Sequence, residues 1–313
     1  MTDRFRRGTA LAALLLVVPA GLSACSDSDG GSGSPDSAAR GLRALAAAGA
    51  SQREVARIER QLTTRCMRSK GFQIAPPTPK PTGPPPAAKV SISPTSDEAA
   101  RTGYGLDPGL VDHQDGTKAP DSPWSRLPDA EKSRYTDAMM GPATELVEVE
   151  VDGASISMGT KGCLADVRRQ LYGDLKTYLR LQEVATNQVR LSSRGEADLD
   201  PGLADTMRGW SACLAKSGYP DVPAPADARS MVAARYKRDG QTQAGLTRTR
   251  RWEKQVATAD ADCATSSGLR AAYEQARAAA DSKVLTRYEN DLVAWQELTA
   301  TALQAARRAL EQR

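Results

Sequence analysis

Residues 269–310 read LRAAYEQARAAADSKVLTRYENDLVAWQELTATALQAARRAL, with Leu269, Tyr273, Ala276, Ala280, Val284, Tyr288, Leu292, Trp295, Leu298, Ala302 and Ala306 on one seam. The steps of three and four residues are the period of one face of an α-helix. Neither Gly nor Pro interrupts the run, so it predicts a single helix from Leu269 to the end of the chain, reaching about 65 Å. A seam this rich in alanine allows close approach, and the expected partner is an antiparallel helix within 163–191.

That partner carries Leu164, Val167, Leu171, Leu175, Tyr178, Leu181 and Ala185 at the same period, and a loop is expected over Ser192 to Pro201. A helix through Trp210 and Cys213 should end at Gly218, because Pro220, Pro223 and Pro225 bar its continuation. Residues 226–237 and 246–265 read as two further helices. Toward the N-terminus, Ser51 with Glu54 forms a capping box, after which Val55, Ile58, Leu62 and Cys66 share a face. A separate helix is expected over Arg40 to Ala48.

Between these helical regions the patterning changes. Residues 75–89 hold seven prolines and read as an extended excursion, and 90–127 are rich in turn residues. A short helix should follow Pro128, with Ala130, Tyr135 and Ala138 or Met139 inward. The one β signal is Val147, Val149 and Val151, then Asp152-Gly153, then Ala154, Ile156 and Met158. Asp-Gly favours a two-residue hairpin turn, which sets Val149 opposite Ile156 and Val147 opposite Met158 on one face within 145–158. With two Phe, eight Tyr and four Trp, the core must be Leu, Val and Ala. The fold class is mainly α: a helical body with a long C-terminal helix and one β-hairpin.

The N-terminal residues look like an export signal. Arg4, Arg6 and Arg7 precede the apolar run Leu11 to Val18, which is too short to span a bilayer. Leu22-Ser23-Ala24-Cys25 then resembles a bacterial lipobox, in which Cys25 would be acylated and become the mature N-terminus. Two acyl chains suffice for stable attachment to the membrane lipid. The expected organisation is a signal peptide over 1–24, a flexible tether over 25–39, an N-terminal unit over 40–192 and a C-terminal helical unit over 199–313.

Four cysteines remain: Cys66, Cys163, Cys213 and Cys263. An even number in an exported chain reads as two disulfides, and three pairings are possible. Cys66–Cys163 with Cys213–Cys263 is expected because it closes two loops that do not cross. A structural zinc site needs close cysteine pairs, and these are too widely spaced. Cys66-Met67-Arg68-Ser69-Lys70-Gly71-Phe72 also parallels Cys213-Leu214-Ala215-Lys216-Ser217-Gly218-Tyr219, a helical cysteine followed by Gly and an aromatic.

With Tyr104-Gly105-Leu106, Gly162-Cys163, Leu171-Tyr172-Gly173, Trp210-x-x-Cys213 and Ala259-Asp260-x-x-Cys263, these motifs resemble a group of uncharacterised actinobacterial, streptomycete-type lipoproteins. The likeness extends over roughly residues 60–310. It implies an envelope location and two disulfides, and it transfers no catalytic residue.

Catalytic motifs are missing. The one histidine, His113, lies in a polar stretch, no Gly-x-Ser-x-Gly elbow exists, and no phosphate or calcium loop is present. Trp210, Trp252 and Trp295 read as core residues, whereas Trp124 lies in a loop and suits a contact surface. Arg248, Arg250 and Arg251 read as a solvated helix end. Removing residues 1–24 lowers the net charge from +4 to about +2, which gives no electrostatic case for nucleic acid or anionic lipid. No cofactor or metal is implied. The expected function is a non-enzymatic binding or accessory protein on the extracytoplasmic membrane face, with an envelope protein or wall component as partner. A ligand-binding component of a transport system and a carboxylate-dependent hydrolase are the alternatives.

Overall fold

The computed structural model describes residues 35–74, 95–106 and 123–311. Its first element, α1 (Pro35–Ser69), is one unbroken helix of 35 residues. Proline is preorganised for a helical first turn, and Asp36 beside it complements the positive end of the helix. The helix therefore starts inside the segment expected to be tether, and Ser51 sits mid-helix instead of opening a second one. Thirteen residues rich in alanine precede Ser51 with no proline, and their packing outweighs a local capping signal.

The remaining elements are α2 (Ser96–Thr102), α3 (Asp129–Met140), β1 (Leu146–Val151), β2 (Ala154–Gly159), α4 (Gly162–Tyr172), α5 (Leu175–Glu183), a π-helical turn (Val184–Gln188), α6 (Val189–Asp198), α7 (Leu203–Lys216), α8 (Pro225–Asp239), α9 (Gln243–Ser266), α10 (Leu269–Arg287) and α11 (Glu289–Glu311). The molecule is mainly helical, as its periodicities require. β1 and β2 pair antiparallel with Val149 opposite Ile156 and Val147 opposite Met158. Asp152 and Gly153 both take positive φ, 47° and 78°, as a type I′ turn demands. Val149, Val151 and Met158 are buried, and the ribbon lies on α5, since a lone hairpin is marginal in water.

Several expected boundaries move. α2 lies in the region read as turns, opened by a capping box in which Thr95 and Glu98 satisfy each other's backbone. The helix expected over 163–191 is interrupted at Gly173 and restarted by Asp174, whose carboxylate caps the Thr177 N–H at 2.8 Å. It then continues through Asp198, so the loop expected from Ser192 shrinks to 199–202. Ala130 is exposed, whereas Tyr135 is buried.

The largest correction concerns the C-terminal seam. It divides at Tyr288, which leaves helical geometry (φ −101°, ψ 10°) while its hydroxyl donates to Asp152 in the hairpin turn. α10 packs on α6. α11 has its broadest contact with α1, not with α4 and α5. Arg40 pairs with Glu289 at 2.6 Å and Arg307 with Glu54 at 3.0 Å, so α1 and α11 run in the same direction. Seam periodicity specifies a face, and either orientation of either partner would satisfy it.

Two cores result. One joins Ala48, Val55, Ile58 and Leu62 of α1 to Trp295, Ala302, Ala306 and Ala309 of α11, with α4, α5 and the ribbon completing it. The other lies among α7, α8, α9 and α10. A smaller cluster around Ala44, Val184, Leu285 and Leu292 bridges them. Because α11 completes the core begun by α1, a cut near residue 195 does not separate two units. The described residues fall within one compact unit.

Within the first core, the Tyr172 and Tyr178 rings lie 4.3 Å apart and Tyr178 is 6.2 Å from Trp295. Arg168 sits 5.2 Å over the Tyr178 ring while pairing with Glu59 at 2.9 Å. Burial, aided by the Glu59 charge, raises the Tyr172 hydroxyl far above the usual tyrosine range. Burial pushes Tyr178 up to about 12, against the opposing pull of Arg168. Both shifts are upward, so native stability holds below the unfolded tyrosine value of about 10 and falls as pH rises toward the native values. Ultraviolet titration of the native chain should show a group of late-ionising tyrosines that includes Tyr172 and Tyr178, and denaturant should abolish that late step. Ionisation of all eight tyrosines together near pH 10 would contradict this packing.

Candidate functional site

The cysteines form two cross-links. Cys66 is joined to Cys163 (S–S 2.00 Å, Cα–Cα 5.7 Å) and Cys213 to Cys263 (S–S 1.98 Å, Cα–Cα 5.6 Å). Each sits beside the same helix ending. Gly71 and Gly218 take φ of 91° and 92°, a region open to glycine because it lacks Cβ. Phe72 N–H then bonds to Met67 C=O at 3.0 Å, and Tyr219 N–H to Leu214 C=O at 3.1 Å. This is a Schellman ending in both copies. Each following aromatic meets a second ring edge-on: Phe72 with Tyr135 at 5.4 Å, Tyr219 with Trp252 at 6.4 Å. The parallel noted in the sequence is therefore a repeated local structure. Trp124 also packs on Tyr135, at 4.8 Å, so it belongs to the cluster beside Cys66–Cys163 rather than to a free contact surface.

Two carboxylates on α9, Glu253 and Asp260, are 2% and 1% exposed. Asp260 accepts hydrogen bonds from Trp210 Nε1 at 2.8 Å and from the Tyr104 hydroxyl at 2.7 Å. Glu253 accepts from the Tyr236 hydroxyl at 2.6 Å and from the Leu106 N–H at 2.9 Å. Arg229 lies 5.1 Å over the Tyr104 ring. The acids are two helical turns apart, and together they clamp residues 103–106 onto α7, α8 and α9. Gly103 is required twice: its φ is 66°, and a Cβ there would stand 2.6 Å from Glu253 Cγ.

This arrangement suits fastening better than catalysis. Glycosidic chemistry places a bond between two acids that both face the substrate. Here both acids are covered by the 103–106 segment and held by structural donors. The open groove beside Cys213–Cys263 is lined by a different face of α9, with Arg251, Lys254, Gln255, Thr258 and Asp262. Among the described residues, no group of three or more His, Cys, Asp or Glu is placed to hold a metal.

Cys25, His113 and the proline-rich stretch 75–89 lie outside the described residues. Tyr104, Trp210 and Asp260 stand in the motifs quoted above, and the fold brings all three to one point. Glu253 and Tyr236 were not legible as partners. The available signal was an acid at 253 on the same stripe as buried Val256, Ala257, Ala261 and Ala264. No family model, curated protein or solved structure matches this chain.

Asp260→Ala would remove the carboxylate that accepts from the Trp210 indole and the Tyr104 hydroxyl, and urea unfolding should show a loss of about 2–4 kcal/mol. Tyr104→Phe removes one donor and should cost about 1 kcal/mol. An Asp260→Ala variant as stable as the parent would show that the clamp contributes nothing.

Proposed function

We propose that this chain is a lipid-anchored protein of the cell envelope, tethered through acylated Cys25 on the extracytoplasmic face and acting there as a non-enzymatic binding or accessory protein. The observation that carries this reading is the pair of cross-links, one at each repeated helix ending. Disulfides persist where thiols are oxidised, outside the cytosol. That compartment is the one to which an Arg-rich start, a short apolar run and Leu22-Ser23-Ala24-Cys25 would direct the chain. The resemblance to actinobacterial lipoproteins points the same way.

The binding role rests on the fate of the buried acids. Glu253 and Asp260 are taken up in holding the fold, and the exposed grooves are lined by long cationic and amide side chains. Such surfaces suit contact with a partner more than bond-breaking. A transport ligand-binding component is less well supported, because the described residues hold one two-stranded ribbon instead of alternating strands and helices.

Cells expressing the chain with an alkyne-tagged palmitate should yield labelled protein in the membrane fraction. Cys25→Ala should carry no label and appear in the medium after a high-salt wash of the cells. A wild-type chain without label, or a Cys25→Ala chain that resists the wash, would contradict the anchor.

A further inference from the structure

The near-neutral total charge conceals a strong asymmetry. Residues 35–70, which are α1 and Lys70, hold eight cations and three acids, a net of +5, whereas the chain from Cys25 onward carries about +2. Everything else therefore carries about −3. Of the three acids, Glu54 is taken by Arg307 at 3.0 Å and Glu59 by Arg168 at 2.9 Å. The packing of α11 and α4 thus neutralises acids at the flanks of α1 and leaves its outward face cationic.

That face is continuous. Arg53, Arg57, Arg60, Arg65 and Arg68 are all exposed, and none pairs with a carboxylate among the described residues. Arg57, Arg60, Arg65 and Arg68 line one shallow groove with Gln61 and Thr64, and no acid lines it. Nearer the start of α1 the outward positions are Leu42, 57% exposed, with Arg43, Ala46, Ala47 and Ala50. A helix face that is apolar at one end and cationic along the rest, with exposed acid confined to Asp36 in its first turn and to Glu54, which Arg307 holds, is suited to a headgroup layer.

We infer that the outward face of α1 docks on the anionic headgroups of the bilayer to which Cys25 is tethered. The reading rests on the lipid anchor for its setting. Ten residue steps separate Cys25 from Pro35, so α1 can start no more than about 36 Å from the anchored residue. The helix itself is about 52 Å long, so its arginines can reach the same surface. Phospholipid supplies closely spaced negative charges in a plane, which matches a straight row of guanidinium groups better than a single compact anion does. Seated this way, the body lies along the membrane.

The chain from residue 25 onward bearing Cys25→Ala tests this directly, because it carries neither the acyl group nor the basic and apolar residues 1–24. Failure of acylation and failure of docking are then separate results. It should cosediment with phosphatidylcholine vesicles containing phosphatidylglycerol, not with phosphatidylcholine alone, and high salt should release it. Each arginine should contribute about fivefold to partitioning, so R53Q/R57Q/R60Q/R68Q should bind several hundredfold more weakly. The milder pair R57Q/R68Q should lose about 25-fold and keeps the test open if the quadruple variant misfolds. R248Q, on α9 and outside both grooves, should bind like the parent. Equal binding to both vesicle types, undiminished binding by the arginine variants, or capture of free inorganic phosphate without vesicle binding would each overturn the inference.

Discussion

The parallel pairing of α1 with α11 is the contact on which the rest of the molecule depends. Ala48 on the first helix and Ala302, Ala306 and Ala309 on the last are buried where the two helices meet. Small side chains let backbones approach closely, and many weak dispersion contacts accumulate along such a seam. The flanking ion pairs Arg40–Glu289 and Arg307–Glu54 are partly exposed and contribute little to stability. Their value lies in fixing direction, since the opposite orientation would separate both pairs. The pairing also brings Trp295 into contact with Tyr172 and Tyr178, so the end of the chain completes a core begun at its start.

Two polar devices then make the helical body specific. The disulfides lock helix endings that have already been turned by glycine and capped by an aromatic ring. The carboxylates of Glu253 and Asp260 collect an indole, two phenols and one backbone N–H in the second core. A buried acid with satisfied partners restricts the arrangements its neighbours can take, whereas an apolar contact would permit sliding. The clamp joins Tyr104, Trp210 and Asp260, which are far apart in the chain.

What could be read from the amino-acid order was whatever is settled by near neighbours. The Asp152-Gly153 hairpin, its register, the Gly-terminated helices and the two cross-links all follow from local geometry or from simple loop topology. What could not be read was the choice of partner. The alanine seam after Leu269 displayed a face without naming the helix that covers it, and Tyr288, where that helix breaks, is bonded to a turn over a hundred residues away. The capping box at Ser51 misled because a cap contributes about 1 kcal/mol, less than the burial of Ala48, Val55 and Ile58 on a continuous helix. A total charge near zero likewise gives no sign of the excess of five cations along residues 35–70. Of the candidate site, the cysteines were legible, and the Glu253–Tyr236 contact needed the fold.

If α11 completes the core of α1, the body must unfold as one. Two variants, each retaining only Trp295 or only Trp210, place a fluorescent reporter in each core in turn. Under non-reducing conditions the account predicts urea transitions that superimpose when both are scaled for stability measured by circular dichroism. A Trp295 transition that departs from the circular-dichroism curve while Trp210 follows it would show two independent halves, and would contradict the closure of the fold by its first and last helices.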